Sequence, residues 1–249
     1  MELRDLIFSD ERVDIYRFGD KTVRLFKESV RKSSVLHIAL THSRVEETGI
    51  KIPTLHEVTV INGRWAIVMD CADGETLEEE MAEHPEKIDQ YLDDMLDLQI
   101  EIHSKSVPKL SKLKDALSRR INELDCIDDI KRYELLTRLE SMPKHTKLCH
   151  GNFIPSNIIV GPDGDFVVLN WAKARQGNAS ADVAHTYLMF AMKDQALADR
   201  YLDLFCEKTH TSKKYVQDWL PIVAAARMID GADEEKEFLS RWIDIASYE

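Results

Sequence analysis

The chain changes texture near residue 74, and that change limits the folds open to it. Before it stand short alternating or apolar runs: Val13-Asp14-Ile15-Tyr16-Arg17-Phe18, Thr22-Val23-Arg24-Leu25-Phe26, Leu55-His56-Glu57-Val58-Thr59-Val60-Ile61 and Trp65-Ala66-Ile67-Val68-Met69. Turn residues at Gly19-Asp20 and Asn62-Gly63 separate them, so they read as strands of an antiparallel sheet. One helical stretch, 32–48, closes at Gly49 and interrupts the strands. After Gly74 apolar residues recur at three-and-four spacing over 76–83, 86–104, 111–124, 127–141, 179–192, 195–209, 213–229 and 233–247, which predicts helices. The sole later β signal is a hairpin, 157–160 and 166–169, around Pro162-Asp163-Gly164. Strands first and helices afterwards predict an α+β fold, with a small β-rich lobe over 1–73 and a larger helical lobe over 74–249.

Composition excludes several classes. With 249 residues, 44% of them hydrophobic and 31% charged, the chain can bury a substantial core and reads as globular rather than disordered or fibrous. No run approaches the roughly 20 apolar residues of a membrane span, so no membrane partner is expected. The first 20 residues mix charges from the second position and hold no secretory apolar region, which predicts a cytoplasmic protein. A net charge of −12 argues against a nucleic-acid partner, whose phosphates call for a basic surface. Cys71, Cys126, Cys149 and Cys206 form no CxxC pair and read as reduced thiols. The histidines show no HExxH pattern, so a metal hydrolase has no support.

The segment 148–171, LCHGNFIPSNIIVGPDGDFVVLNW, carries the most chemistry. Its His150-Gly151-Asn152-Phe153-Ile154-Pro155-Ser156-Asn157, then Val167-Val168-Leu169-Asn170-Trp171, resembles the signature of the aminoglycoside phosphotransferase and choline kinase-like family: H-G-D-x-x-P-x-N, a hairpin, then hydrophobic-D-W. Gly177-Asn178-Ala179-Ser180-Ala181-Asp182 resembles that family's next turn and helix, with Asp182 as its structural acid. The resemblance implies a protein kinase-like fold of two lobes, ATP as cofactor, and a small-molecule or protein ligand in the cleft between the lobes. In kinase chemistry a loop Asp accepts the hydroxyl proton, an Asn five residues on holds a metal, and a second Asp after the hairpin holds Mg²⁺ against the ATP phosphates. Those places hold Asn152, Asn157 and Asn170. An amide is no base near pH 7 and offers a hard cation one neutral oxygen, so Mg²⁺ binding is disfavoured.

The other parts of a kinase site are altered too. The turn that would cover the phosphates is Ser9-Asp10-Glu11-Arg12, without glycine and with two acids. The third-strand lysine of the family falls on Arg24, which keeps the charge but not the geometry, while Lys21 and Lys27 flank it out of register. The helix glutamate that would pair with it aligns near Ile38. Met69-Asp70-Cys71-Ala72 follows a strand as the family's hinge does, so Met69 and Cys71 are candidates for the adenine pocket. His150 and His103 are expected to support the loop, and Trp171 to be core. Arg227 and Glu234 are candidate substrate contacts, although the acidic run Asp233-Glu234-Glu235-Lys236-Glu237 equally suits a solvated helix start. The chain thus reads as a catalytically impaired pseudokinase. The alternative is an active ATP-dependent phosphotransferase for an aminoglycoside, amino alcohol or sugar, with Asp163, Asp165 or Asp182 taking over the metal.

Overall fold

The computed structural model describes residues 3–231 and 233–244. In chain order come β1 (Asp5–Ser9), β2 (Val13–Phe18), β3 (Lys21–Phe26), α1 (Lys32–Glu46), β4 (Leu55–Ile61), β5 (Arg64–Asp70), β6 (Glu75–Thr76), α2 (Leu77–Glu83) and α3 (Ile88–Ser104). Then follow α4 (Leu113–Glu123), α5 (Asp129–Ser141), β7 (Lys147–Cys149), β8 (Ile158–Val160), β9 (Phe166–Val168), β10 (Arg175–Gly177), α6 (Ala179–Ala191), α7 (Gln195–Thr209), α8 (Lys213–Gln217), α9 (Leu220–Met228) and α10 (Asp233–Ser240). The architecture is α+β, an antiparallel sheet followed by a helical region.

Two compact units form, one from Met1–Pro85 with Pro155–Ala174, the other from Glu86–Ile154 with Arg175–Glu249. In the first, five antiparallel strands lie in the order β1-β2-β3-β5-β4. The β4–β5 hairpin turns at Asn62 and Gly63, with φ of 51° and 80°. Asn and Gly are the residues that reach such a tight turn cheaply. On one face of the sheet Val13, Phe26, Ile67 and Met69 pack with Val35 and Ala39 of α1. On the other, Val23, Leu25, Ala66 and Val68 pack with Ile61. The hairpin β8–β9 belongs to this unit, because β6 pairs with β8 through Glu75 opposite Val160 and Thr76 opposite Ile159. Gly74 makes that approach possible, since its φ is 131° and a Cβ there would stand 2.0 Å from the Val160 carbonyl oxygen.

The second unit is helical. α3 buries Tyr91, Leu92, Met95, Leu96, Gln99, Ile102 and His103, a three-and-four stripe. α6 and α9 are buried on nearly every side, as suits central helices.

Four differences separate the structure from the sequence expectation. The helix expected over 213–229 is two, α8 and α9, because Pro221 lacks an N–H and its ring clashes with the carbonyl four residues back, at the last residue of α8. The 157–169 hairpin is not the sole later β structure, since β10 pairs antiparallel with β7 over three residues. Such segments are too short to show a period of two. β1 was not expected; it pairs with β2, yet all five residues are exposed, so it carries no alternation. The last helix ends at Ser240, and 245–247 of the expected span lie outside the described residues.

Candidate functional site

The loop after β7 is held by one carboxylate. α6 starts at the cap Asn178, whose side chain accepts the Ser180 N–H at 2.9 Å, and this places Asp182 one turn in. Asp182 accepts the Gly151 N–H at 2.7 Å, the His150 N–H at 2.9 Å and His103 Nε2–H at 3.1 Å. Burial alone raises the Asp182 carboxyl. The His103 hydrogen bond, the charges of His103 and His150 and the Gly151 N–H together outweigh it and leave Asp182 below its usual range, hence ionised. His150 is fully buried, and its Nδ1 accepts the Asn152 N–H at 3.2 Å. Phe153 stands edge-on to that ring, and its carbonyl accepts the Thr186 hydroxyl at 2.7 Å. His150 and His103 thus brace the loop.

Among the described residues, one group of His, Cys, Asp or Glu side chains gathers ligand atoms within 4.8 Å of one another: His103, Cys149 and Asp182. It does not suit a metal. Burial pushes the Cys149 thiol well above its usual range, so the thiolate a metal needs is disfavoured. The Cys149 S–H faces the Asn178 carbonyl at 3.5 Å, and Asp182 already serves three donors.

Asn157 and Asn170 come together in the first unit. The Leu169 N–H donates to the Asn157 carbonyl at 2.8 Å, bringing the two ends of the hairpin level. Asn170 lies in the left-handed region at φ 64°, ψ 49°, which asparagine tolerates, and opens a short 3-10 turn, Trp171–Lys173. Its Nδ2 donates to Asn157 Oδ1 at 3.5 Å. Trp171 is buried, and its indole N–H donates to the Val168 carbonyl at 2.9 Å. The 3-10 turn packs against α1.

The kinase resemblance implies Mg²⁺ here, and the donor set does not fit it. A hard cation is held by several oxygens that include carboxylates, whereas this pair offers neutral amides bonded to each other. The hairpin acids are no substitute, because Asp165 is ion-paired to Lys51 and Asp163 is exposed in the turn. Asp182 is committed to the loop.

Arg24 sits in the middle of β3, opposite Ile15 of β2 and Ile67 of β5, and so on the sheet face that packs on α1. Its Nε is fully buried and has no acceptor among the described residues. Burial lowers the guanidinium below its usual range, and the charge of Asp10 only partly opposes this. The same positive charge adds to the burial that lowers His42 on α1. No acid answers Arg24 from the helix position expected to pair with it, since Ile38 packs into the apolar cluster. The flanking lysines are engaged elsewhere: Lys21 with Asp70 at 2.7 Å and Lys27 with Asp14.

The turn before β2 is closed on itself. Asp10 Oδ1 accepts the N–H groups of Arg12 and Val13, each at 2.7 Å, so the turn's own carboxylate takes the donors a phosphate would need. At the end of β5, Met69 is buried and Cys71 half-buried. The Cys71 N–H donates to the Asp20 carbonyl at 2.9 Å. In the second unit Arg227 bonds Glu235 at 2.7 Å and 3.1 Å, while Glu234 is exposed on α10. Sequence reasoning passed over Asn178 as a cap and Asp10 as an internal anion. Asn178 carries a signal, an Asn just before an apolar helical run; Asp10 carries none beyond its turn.

Residues 16–217 match the phosphotransferase enzyme family. The chain belongs to this family. No curated protein matches its sequence. Among solved structures, a thermostable mutant of the aminoglycoside phosphotransferase APH(4)-Ia in its apo form aligns at TM-score 0.72 and 14% identity, over 98% of this chain and 93% of that one. The choline kinase LicA from Streptococcus pneumoniae aligns at TM-score 0.69 and 12% identity, over 98% and 92%. An aminoglycoside-3'-phosphotransferase of type VIII aligns at TM-score 0.60 and 15% identity, over 98% and 92%. Likeness at these identities establishes the protein kinase-like fold for this member of the phosphotransferase family. A further variant of that thermostable APH(4)-Ia mutant has been solved in a ternary complex with ADP and hygromycin B, at TM-score 0.72 and 14% identity to this chain.

Proposed function

We propose that this member of the phosphotransferase family is a cytoplasmic pseudokinase: it binds a nucleotide or another small molecule through the kinase-like fold without metal-dependent phosphoryl transfer. The observation that carries this is the bonded amide pair Asn157 and Asn170 where a metal would be held, with Asn152 where a base would stand. Phosphoryl transfer needs a positioned nucleophile and neutralisation of the phosphate charge, and amides supply neither a base nor a charged metal ligand. Nucleotide binding is supported by relatives of this fold that bind ADP, and by the Met69–Cys71 segment at the end of β5.

A second reading, an active small-molecule kinase, is favoured by the loop braced on Asp182. Transfer rests largely on positioning, and the positioning framework is present. The test incubates the purified protein with ATP and Mg²⁺ against a panel of aminoglycosides, amino alcohols and sugars and looks for phosphorylated product by mass spectrometry. A parallel thermal-shift titration with ATP reads binding, since a ligand held at 100 times its Kd adds about 2.7 kcal/mol to stability. The pseudokinase predicts a shift and no product. Any phosphorylated product above the no-enzyme control establishes the second reading instead.

A further inference from the structure

The disagreement between this donor set and Mg²⁺ has a chemical direction. A carboxylate at position 170 would need a cation between itself and a polyphosphate, because without one the two anions repel. Asn170 reverses this. Its amide nitrogen is a donor of two N–H groups, of which one is directed at Asn157 Oδ1 across a long 3.5 Å contact, so the other can meet an oxygen acceptor.

Arg24 is the second, independent sign. The Arg24 Nε–H is buried without an acceptor among the described residues, and planar N–H forks match phosphate oxygens. Neither flanking lysine is available to play that part, and the position on α1 expected to neutralise Arg24 carries Ile38. Arg24 and Asn170 belong to one compact unit and border the same helix. The sheet face of Arg24 packs on α1, and α1 packs on the 3-10 turn that Asn170 opens.

We infer that Arg24 with the Asn157–Asn170 amide pair forms a metal-free binding site for a polyphosphate oxyanion. The inference rests on the proposal that the chain binds nucleotide. It adds that the phosphates are met by protein donors directly and that Mg²⁺ competes with the site rather than building it.

The test is isothermal titration of the full chain with ATP, ADP and inorganic tripolyphosphate, each in EDTA and again with excess Mg²⁺. The expected result is binding of ATP and tripolyphosphate in EDTA, weakened about ten-fold when Mg²⁺ screens the phosphates. Arg24→Gln should lose that binding while melting no lower than the wild type without ligand, because it removes a buried charge and its orphaned Nε–H. Asn170→Asp should weaken binding in EDTA about ten-fold. Binding of ATP only with Mg²⁺ overturns the oxyanion site and leaves the nucleotide proposal standing. Binding of ATP but not tripolyphosphate in EDTA, unchanged in Arg24→Gln, also overturns it, since the base would then carry the affinity. No heat with any of the three ligands, from protein shown to be folded by its melting curve, overturns both.

Discussion

Asp182→Ala should be among the most damaging single changes in the chain. The substitution leaves three buried donors, the His150 N–H, the Gly151 N–H and His103 Nε2–H, without their acceptor. Each orphaned donor costs about 1–3 kcal/mol. Relaxation and a water entering the space left by the carboxylate recover part of that, which brings the loss to about 3–5 kcal/mol, the range for breaking a buried charged network. At about 2–4 °C per kcal/mol for a chain of this size, the melting temperature should fall by roughly 10 °C. Thermal and urea unfolding followed by circular dichroism measure it, with Asp163→Ala in the exposed turn as a control expected within about 0.5 kcal/mol of wild type. pH supplies an independent check. The folded-state carboxyl is held below its usual 3.8, so its contribution is full above that value and is lost as pH falls through the lowered one. The stability gap between wild type and Asp182→Ala should therefore narrow below about pH 4. A variant that melts within 2 °C of wild type, taken as roughly half a kcal/mol, with a gap that ignores pH, would refute the claim that this carboxylate holds the loop.

Gly74→Ala should destabilise by about 3 kcal/mol or more, because its Cβ would stand 2.0 Å from a backbone oxygen at a φ of 131°; chemical denaturation reads this directly. Cys126 is exposed and Cys149 buried with a raised pKa, so a thiol reagent should label Cys126 in the native protein and Cys149 only after unfolding, as peptide mapping by mass spectrometry would reveal.

Long periodic elements were legible in the sequence. The stretch 195–209 gave α7 at those bounds, and α3 follows its three-and-four stripe, because burial on one face selects the period. What was not legible depends on partners distant in sequence. β7 and β10 exist because Arg175 meets Cys149 across 26 residues, and nothing local marks either strand. The split between α8 and α9 did have a local mark, Pro221, which the apolar density around it masked. At the site the asparagines were readable from motif spacing, which is short and rigid. That the Arg24 Nε lacks an acceptor among the described residues, that Lys21 and Lys27 are taken, and that Asp10 fills its own turn are three-dimensional facts. Arg227 shows the limit on the other side, since its acidic partner is Glu235, one residue from the candidate Glu234.

The residue at 170 determines more than one charge. With Asn there, its Nδ2 donates and Asn157 must present its oxygen to it. With Asp there, the same contact would require Asn157 to present its nitrogen, and the Asn157 oxygen would turn away from the pair. One change at 170 therefore alters two side chains together: it supplies a carboxylate and turns an amide oxygen away from the pair, and such oxygens are the hard donors a divalent cation takes. Position 152 has no such leverage, because its backbone is fixed by His150 and a carboxylate there would add a base without adding a second ligand. On the proposed reading, Asp at 170 is thus the change expected to favour a cation, and Asp at 152 would matter to transfer only after it.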